Sequence, residues 1–398
     1  MKFPVNNNRR WFGSQAVAWG SCWLGCVLSL GVTVAVADRA QDARQVVQQL
    51  IAASRIYDQR QMAVASDQLA RIGKPAVPAL INAMDDIDGN VRWQAIVALG
   101  RIGSPVATVA TSQLMRALDD IDPDVRTAAA DTLGQLNARE ARVTRALRPL
   151  VNDPHGQVRS ASWWALWTVA NDQQAIPHLI RLLNDKDWMV SQAASKYLAR
   201  IGSPAVGPLI GVLETSHDRS RASAADALAR MGAAAEPAVD ALKPLLAHPR
   251  PAVATSASRA LGRIGSPALP ALLHELRTDR PQSRLLSIQS IATMGPGGAA
   301  AVAELVQQLG HADLETRRLS VEALGAIGPA AHATVPELVK LLSSPHADLR
   351  GATCQALGNL GPFARSALAQ LGRLAREDPI DFVQAAADRA CQRLVSRD

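Results

Sequence analysis

One unit recurs along the chain. The run Ala-Leu-Gly-x-Ile-Gly ends at Gly103, Gly265 and Gly328. Degenerate copies end at Gly73, Asn137, Ala170, Gly202, Gly232, Gly295, Gly361 and near Val395. Successive endings are 30 to 34 residues apart, a period that belongs to stacked repeat architectures. Such a unit holds two helices of ~12 residues and two tight turns. Each helix carries a single apolar stripe, so no unit buries its own and neighbours must stack. The expected fold is all-α, an α-solenoid of about ten helix pairs. Only 4% of residues are aromatic, which suits thin helices packed closely through Ala, Leu, Val and Ile.

The turns carry their own signals. Gly103, Gly202 and Gly265 stand just past a helix end, where a left-handed backbone is cheap without a Cβ. Ser104-Pro105, Ser203-Pro204 and Ser266-Pro267 follow; the serine can cap the next helix and the proline suits its first position. The first helix of a pair (helix A) reads like Val77-Pro78-Ala79-Leu80-Ile81, and a polar turn such as Asp85-Asp86-Ile87-Asp88 leads to helix B. Helix B opens on Val91-Arg92, Val125-Arg126 or Val158-Arg159, and the arginine column continues at Arg221, Arg284, Arg317 and Arg350.

From roughly residue 40 onward this pattern resembles the HEAT-like repeats first named from phycobilisome bilin lyases. The resemblance implies a ladder of turn Asp and helix-B Arg side chains along the stack. Asp88 would join Arg92 and Asp122 would join Arg126, with Arg159, Arg221, Arg284, Arg317 and Arg350 on the same rail. Residues 38–73, polar and Gln-rich, read as a degenerate repeat that caps one end. Residues 74–361 form the array, and 362–398, where the Gly ending is lost, cap the other end.

Residues 1–37 are of another kind. Lys2, Arg9 and Arg10 precede an uncharged, mainly apolar run from Ala16 to Ala37, which closes on Ala35-Val36-Ala37-Asp38. Those small residues stand where signal peptidase needs them. At 22 residues the run is long enough to span a bilayer uncleaved. Gly20, Ser21, Gly25, Ser29, Gly31 and Thr33 dilute it, which favours cleavage between Ala37 and Asp38 over an anchor. Asn8-Arg9-Arg10-Trp11-Phe12 also resembles a twin-arginine export signal, with Gly13-Ser14 where Leu-Lys is usual. The expected location is periplasmic or otherwise outside the cytoplasm, and membrane contact rests on this segment alone. Cys22 and Cys26 lie within it. Cys354 and Cys391, the other two, are too few for a disulfide framework and read as small buried residues rather than a bridge.

The motifs of catalysis are missing. No phosphate loop, His-Glu-x-x-His or Cys-x-x-Cys-His occurs. Gly295-Pro296-Gly297-Gly298 sits at a repeat boundary, as a helix-to-helix turn would. Deoxyhypusine hydroxylase, an iron enzyme of similar repeats, uses several His-Glu pairs; this chain has one, His274-Glu275. His155, His217, His248, His311 and His346 fall in A–B turns. Helices packed ~8–10 Å apart do not bring such nitrogens to the ~2.0–2.1 Å that zinc requires. No metal and no cofactor are expected.

The outer face of helix B is the candidate site. Aligned on the first Gly of each ending, positions seven and three before it and one after it share that face. They give Trp93, Val97 and Arg101, then Ser160, Trp164 and Thr168, with Trp163 and Trp167 close by. They continue as Gln192, Lys196 and Arg200, then Ala222, Asp226 and Arg230, then Thr255, Arg259 and Arg263, then Leu285, Gln289 and Thr293. The groove is thus expected to be aromatic first and basic in the middle, both typical of partner anchors. Two structural roles compete. A last-turn Arg also offsets the helix dipole, and Arg71, Arg101, Arg200, Arg230, Arg263 and Arg393 all hold that position. The Trp cluster would equally fill a wider core.

The functional expectation is a non-catalytic scaffold holding a protein or peptide partner on its concave helix-B surface. Bilin lyase-like or chaperone activity on a partner protein is the alternative that the resemblance offers, and the export segment speaks against it. Nucleic-acid binding ranks third. The formal charge is +7, and +4 once Lys2, Arg9 and Arg10 are set aside. That charge is spread out, whereas a nucleic-acid binder clusters it.

Overall fold

Pairs of helices follow one another through the computed structural model, which describes residues 39–215 and 217–396. The expected export segment, with its cleavage site at Ala37 and Asp38, lies outside them. The chain divides into two compact units, one ending at Asp172 and the other beginning at Gln173. In the first unit, α1 (39–55) pairs with α2 (Gln59–Ile72), α3 (Val77–Ala83) with α4 (Gly89–Ile102), α5 (Thr111–Ala117) with α6 (Pro123–Gln135), and α7 (Ala141–Leu147) with α8 (Gly156–Ala170). In the second, α9 (Ala175–Leu182) pairs with α10 (Trp188–Ile201), α11 (Val206–Thr215) with α12 (Asp218–Met231), and α13 (Val239–Leu242) with α14 (Pro251–Ile264). There follow α15 (Leu269–Leu276) with α16 (Pro281–Met294), α17 (Val302–Gln308) with α18 (Leu314–Ile327), α19 (Val335–Leu341) with α20 (Ala347–Asn359), and α21 (Leu368–Glu377) with α22 (Asp381–Val395). The fold is an α-solenoid of eleven pairs among the described residues, with no strand there. The count exceeds ten because 39–72 and 368–395 each form a full pair.

After α1, helices A are shorter than the expected ~12 residues. α3 has 7 and α13 only 4, whereas α4 has 14 and α8 has 15. Proline is the cause in two repeats. Pro149 and Pro244, which lack an N–H for the α ladder, lie in the 3-10 turns Pro149–Asn152 and Lys243–Ala247 that complete helix A. A second correction concerns Ser203-Pro204 and Ser266-Pro267. They open the 3-10 turns Ser203–Ala205 and Ser266–Ala268, and neither turn has a side-chain cap.

The helix endings behave as their residue types require. Gly202 has φ 78° and ψ −141°. Its φ is positive as expected, but its ψ is extended, in a region nearly closed to any residue with a Cβ. After α8 the backbone is left-handed helical, φ 52° and ψ 40°, and Asn171 serves there. The first Gly of the Ala-Leu-Gly run has a different task. A Cβ on Gly325 would stand 2.7 Å from the Ala356 Cα, and one on Gly358 would stand 3.1 Å from the Ala390 Cα. These glycines let successive B helices touch backbone to backbone. Leu80, Ile96, Leu99, Leu133, Leu166 and Leu179 are fully buried in the core between the layers.

Candidate binding site

The arginine rail comes first, because it fixes the A–B turns. Arg92 Nη1 donates to the carbonyls of Asp86 (2.9 Å) and Ile87 (3.0 Å), six and five residues earlier. Arg126 does the same to Asp120 and Ile121, Arg159 to Asp153 and Pro154, Arg317 to His311 and Ala312, and Arg350 to Ser344 and Pro345. Arg284 reaches the Thr278 carbonyl at 2.7 Å, and Arg221 those of Leu213 and Glu214. Each guanidinium thereby satisfies carbonyls at or after the end of helix A, which have no helical partner.

The other edge of the guanidinium points to the next repeat. Arg92 holds Asp120 through two bonds of 2.7 Å, Arg126 holds Asp153 at 2.9 and 3.2 Å, and Arg350 holds Asp378 at 2.7 and 2.8 Å. This corrects the expected pairs Asp88–Arg92 and Asp122–Arg126. Asp88 and Asp122 instead cap their helices, accepting from the N–H of Asn90 and Asp124 at 2.9 Å. The carboxylate that meets the arginine stands two residues before the cap of the following repeat. The Arg350 guanidinium beside Asp378 holds that carboxyl below its ordinary value. At Asp120 and Asp153 burial is the largest single influence and pushes the other way, but the hydrogen bonds from Arg92 and Arg126, those from the Asp122 and His155 N–H groups and the arginine charges together outweigh it. Two turn histidines replace that aspartate. Asp120 accepts the N–H of Asp122; likewise His248 Nδ1 accepts the N–H of Arg250 (3.2 Å) and His311 Nδ1 that of Asp313 (3.0 Å). Among the described residues, no group of three His, Cys, Asp or Glu could hold a metal ion. Cys354 and Cys391 are free thiols, Cys354 fully buried.

On the helix-B face the two units differ. Trp164 was expected in the groove, and the structure corrects this: it is buried, 4% exposed, as is Trp163. Its ring lies against Gly134 of α6, where a Cβ would stand 2.8 Å from Cε3. Trp93 and Val97 are half-buried, and Arg101 is exposed and paired with Asp67 of the preceding helix B at 2.7 Å. The aromatic groove of the first unit is therefore mostly core.

In the second unit the basic columns converge. Gln192 from α10, Asp226, Ala229 and Arg230 from α12, and Arg259 and Arg263 from α14 line a cleft of about 410 Å³. Arg230 donates to Gln192 Oε1 at 3.0 Å, Gln192 donates to Asp226 at 3.4 Å, and Arg259 pairs with Asp226. Arg263 is exposed and has no hydrogen bond or ion pair among the described residues. Lys196 and Arg200, also exposed, lie 5.0 and 5.8 Å from the ring of Tyr197, which is itself buried. Three guanidiniums face one carboxylate in the cleft, so it suits carboxylates, which arginine binds through two parallel bonds. A cleft of about 450 Å³ at Ser344, Gln370 and Arg373 is larger, but its charged floor, Arg350 and Asp378, is already paired. The sequence reading missed how helix-B arginines reach back one repeat, as Arg101 does to Asp67, Arg259 to Asp226 and Arg393 to Asn359. Their separation of 33 or 34 residues, one repeat, was the available signal.

No curated protein matches the chain. Among solved structures it is similar to the karyopherin Kap121p, with TM-score 0.42 and 12% identity over 92% of this chain and 54% of that one. For Kap121p bound to the SUMO protease Ulp1p the values are 0.46 and 14%, over 89% and 45%. For the complex of CpcE and CpcF of phycocyanin lyase from Nostoc sp. PCC7120 they are 0.36 and 20%, over 39% and 98%. The chain spans about half the length of the karyopherin chains. The family model described as HEAT repeats matches residues 43–110, 108–167, 144–229, 208–292 and 299–391, so the chain belongs to the HEAT repeat family.

Proposed function

We propose that this chain is a non-catalytic binding scaffold that acts outside the cytoplasm and holds an acidic segment of a protein partner on the helix-B face of its second unit. The cleft of Arg230, Arg259 and Arg263 supports the reading. It offers more positive charge than its own Asp226 neutralises, and it holds none of the nucleophile, base and metal combinations that catalysis uses. The extracytoplasmic part rests on the Ala37-Asp38 cleavage pattern and on Arg9 and Arg10.

The test is recovery of partners from the cell envelope fraction with wild-type chain and with Arg263→Glu, identified by mass spectrometry. Arg263 has no partner to lose, so the variant should melt like the wild type. Losing an anchor of the usual strength, ~2 kcal/mol or more, should deplete the specific partner about thirtyfold. Equal recovery by both chains, or turnover of a small substrate by the purified protein, would overturn the proposal. N-terminal sequencing of exported chain should begin at Asp38, and Arg9→Lys with Arg10→Lys should block export if the twin-arginine route is used.

A further inference from the structure

The A–B turns of the first unit have a feature that the arginine rail leaves unexplained. Tyr57, Ile87 and Ile121 are 73%, 96% and 92% exposed. Each stands immediately before the cap of helix B, at Asp58, Asp88 and Asp122. Single exposed apolar residues are ordinary; three in one register on consecutive repeats form a ridge. In the second unit the same position holds residues such as Lys186, Pro249 and Ala312. Tyr57 adds a detail. It has φ 55°, and among the described residues the other two non-glycine residues with positive φ are Asn137 and Asn171, the type that tolerates that backbone.

The ridge lies in an acidic field on a basic chain. Residues 55–60, 85–92 and 119–126 carry eight aspartates against Arg55, Arg60, Arg92 and Arg126. Arg55 pairs with Asp86 at 3.0 Å and Arg92 with Asp120, while Arg126 is committed to Asp153. Asp85, Asp119 and Asp124 are exposed and have no hydrogen bond or ion pair to their side chains among the described residues.

We infer that this edge is a second docking surface, for a cationic segment in polyproline II conformation with an apolar side chain at every third position. The spacing selects the conformation. Stacked helices repeat every ~8–10 Å. A polyproline II chain rises ~3.1 Å per residue with three residues per turn, so it returns to one face every ~9 Å. A β-strand returns every ~7 Å and falls out of step. Lysine or arginine between the apolar positions would meet Asp85, Asp119 and Asp124. The surface is distinct from the Arg263 cleft, which attracts the opposite charge.

The experiment uses the full chain and a fluorescein-labelled peptide of four Leu-Pro-Lys triplets, read by fluorescence anisotropy at low and high salt. A peptide of the same composition with unevenly spaced leucines is the control. The triplet peptide should bind one to one, more weakly as salt rises, and at least tenfold more tightly than the control. Ile87→Ser with Ile121→Ser should weaken it about tenfold or more without lowering the melting temperature, because both side chains are in solvent. Asp85→Asn with Asp119→Asn should do the same and remove most of the salt dependence. Arg263→Glu should leave it unchanged, which separates this inference from the proposed function. Equal binding of both peptides would reduce the surface to bare charge and overturn the inference, as would unchanged binding in the Ile or Asp variants. A smaller sedimentation coefficient of the free Ile variant would also overturn it, by showing that a second copy of the chain covers the ridge.

Discussion

Gly134 and Trp164 should respond to mutation as one unit. The Trp164 ring is 4% exposed and lies on the α6 backbone at Gly134. Trp164→Ala removes a buried aromatic and should cost ~3–5 kcal/mol. Gly134→Ala alone has two opposed effects. It gains ~0.5–1 kcal/mol by removing a glycine from a helix interior. It also drives a methyl into the ring, an overpacking that costs ~1–3 kcal/mol. In the Trp164→Ala background the ring is gone and only the gain survives. Gly134→Ala should therefore destabilise the wild type yet stabilise the Trp164→Ala variant, with a coupling of ~1–3 kcal/mol. Repeat arrays need not unfold in one step, so the assay is hydrogen exchange of the α6 and α8 amides, with urea melts alongside. If Gly134→Ala has the same effect in both backgrounds, or Trp164→Ala costs less than ~1 kcal/mol, the ring is not where the argument needs it, and Trp164 returns to the binding face.

Three further outcomes follow from the same geometry. Arg350→Ala should cost ~3–5 kcal/mol, because Asp378, 4% exposed, is left charged and unpaired; Arg55→Ala, which breaks an exposed pair, should cost under ~1 kcal/mol by urea titration. Asp120, Asp153 and Asp378 titrate below the ordinary 3.8 in the folded chain. Their contribution to stability should therefore be complete above that value and disappear as the pH falls through the lower folded values, with a shallower acid loss in Arg350→Ala. Burial pushes the Cys354 thiol up to about 12, so mass spectrometry should find its peptide unalkylated at pH 8 until the chain is unfolded.

The repeat was legible because its punctuation is local. Gly202 and Gly265 announce a backbone that only glycine adopts cheaply, and that needs no knowledge of neighbours. The basic cleft was legible too, since Gln192, Asp226, Arg230, Arg259 and Arg263 obey one periodicity on exposed faces. Partner identities were harder. Asp88 and Asp120 are both turn aspartates, and only the stacking offset decides that Arg92 takes the one 28 residues on. Trp164 was misplaced because its position in the repeat alignment says nothing about how closely α6 and α8 approach. Gly134, one repeat earlier, lets the ring into the layer, so the deciding residue lies outside α8. Ser203 and Ser266 mislead for a different reason: a 3-10 turn intervenes before helix A, and the serine no longer stands at a cap.

The arginine rail also has a consequence for editing the chain. Its carbonyl bonds close within one repeat, whereas its carboxylate bond couples one repeat to the next, so excision of a whole repeat severs only the coupling. Deleting 93–126 would bring Arg92 before the turn of Asp153, which offers the same carboxylate that Asp120 did, and the joint should re-form. Deleting α21 and α22 with the turn between them would instead remove Asp378 and strand Arg350. Between α16 and α20 the coupling position holds His311 and Ser344, so repeats there should be exchanged or duplicated without loss of a rail ion pair, provided that Arg277 keeps its partner Glu304 in the following repeat. The stretch of chain most open to change in length is thus the one where the rail itself carries no charge from one repeat to the next.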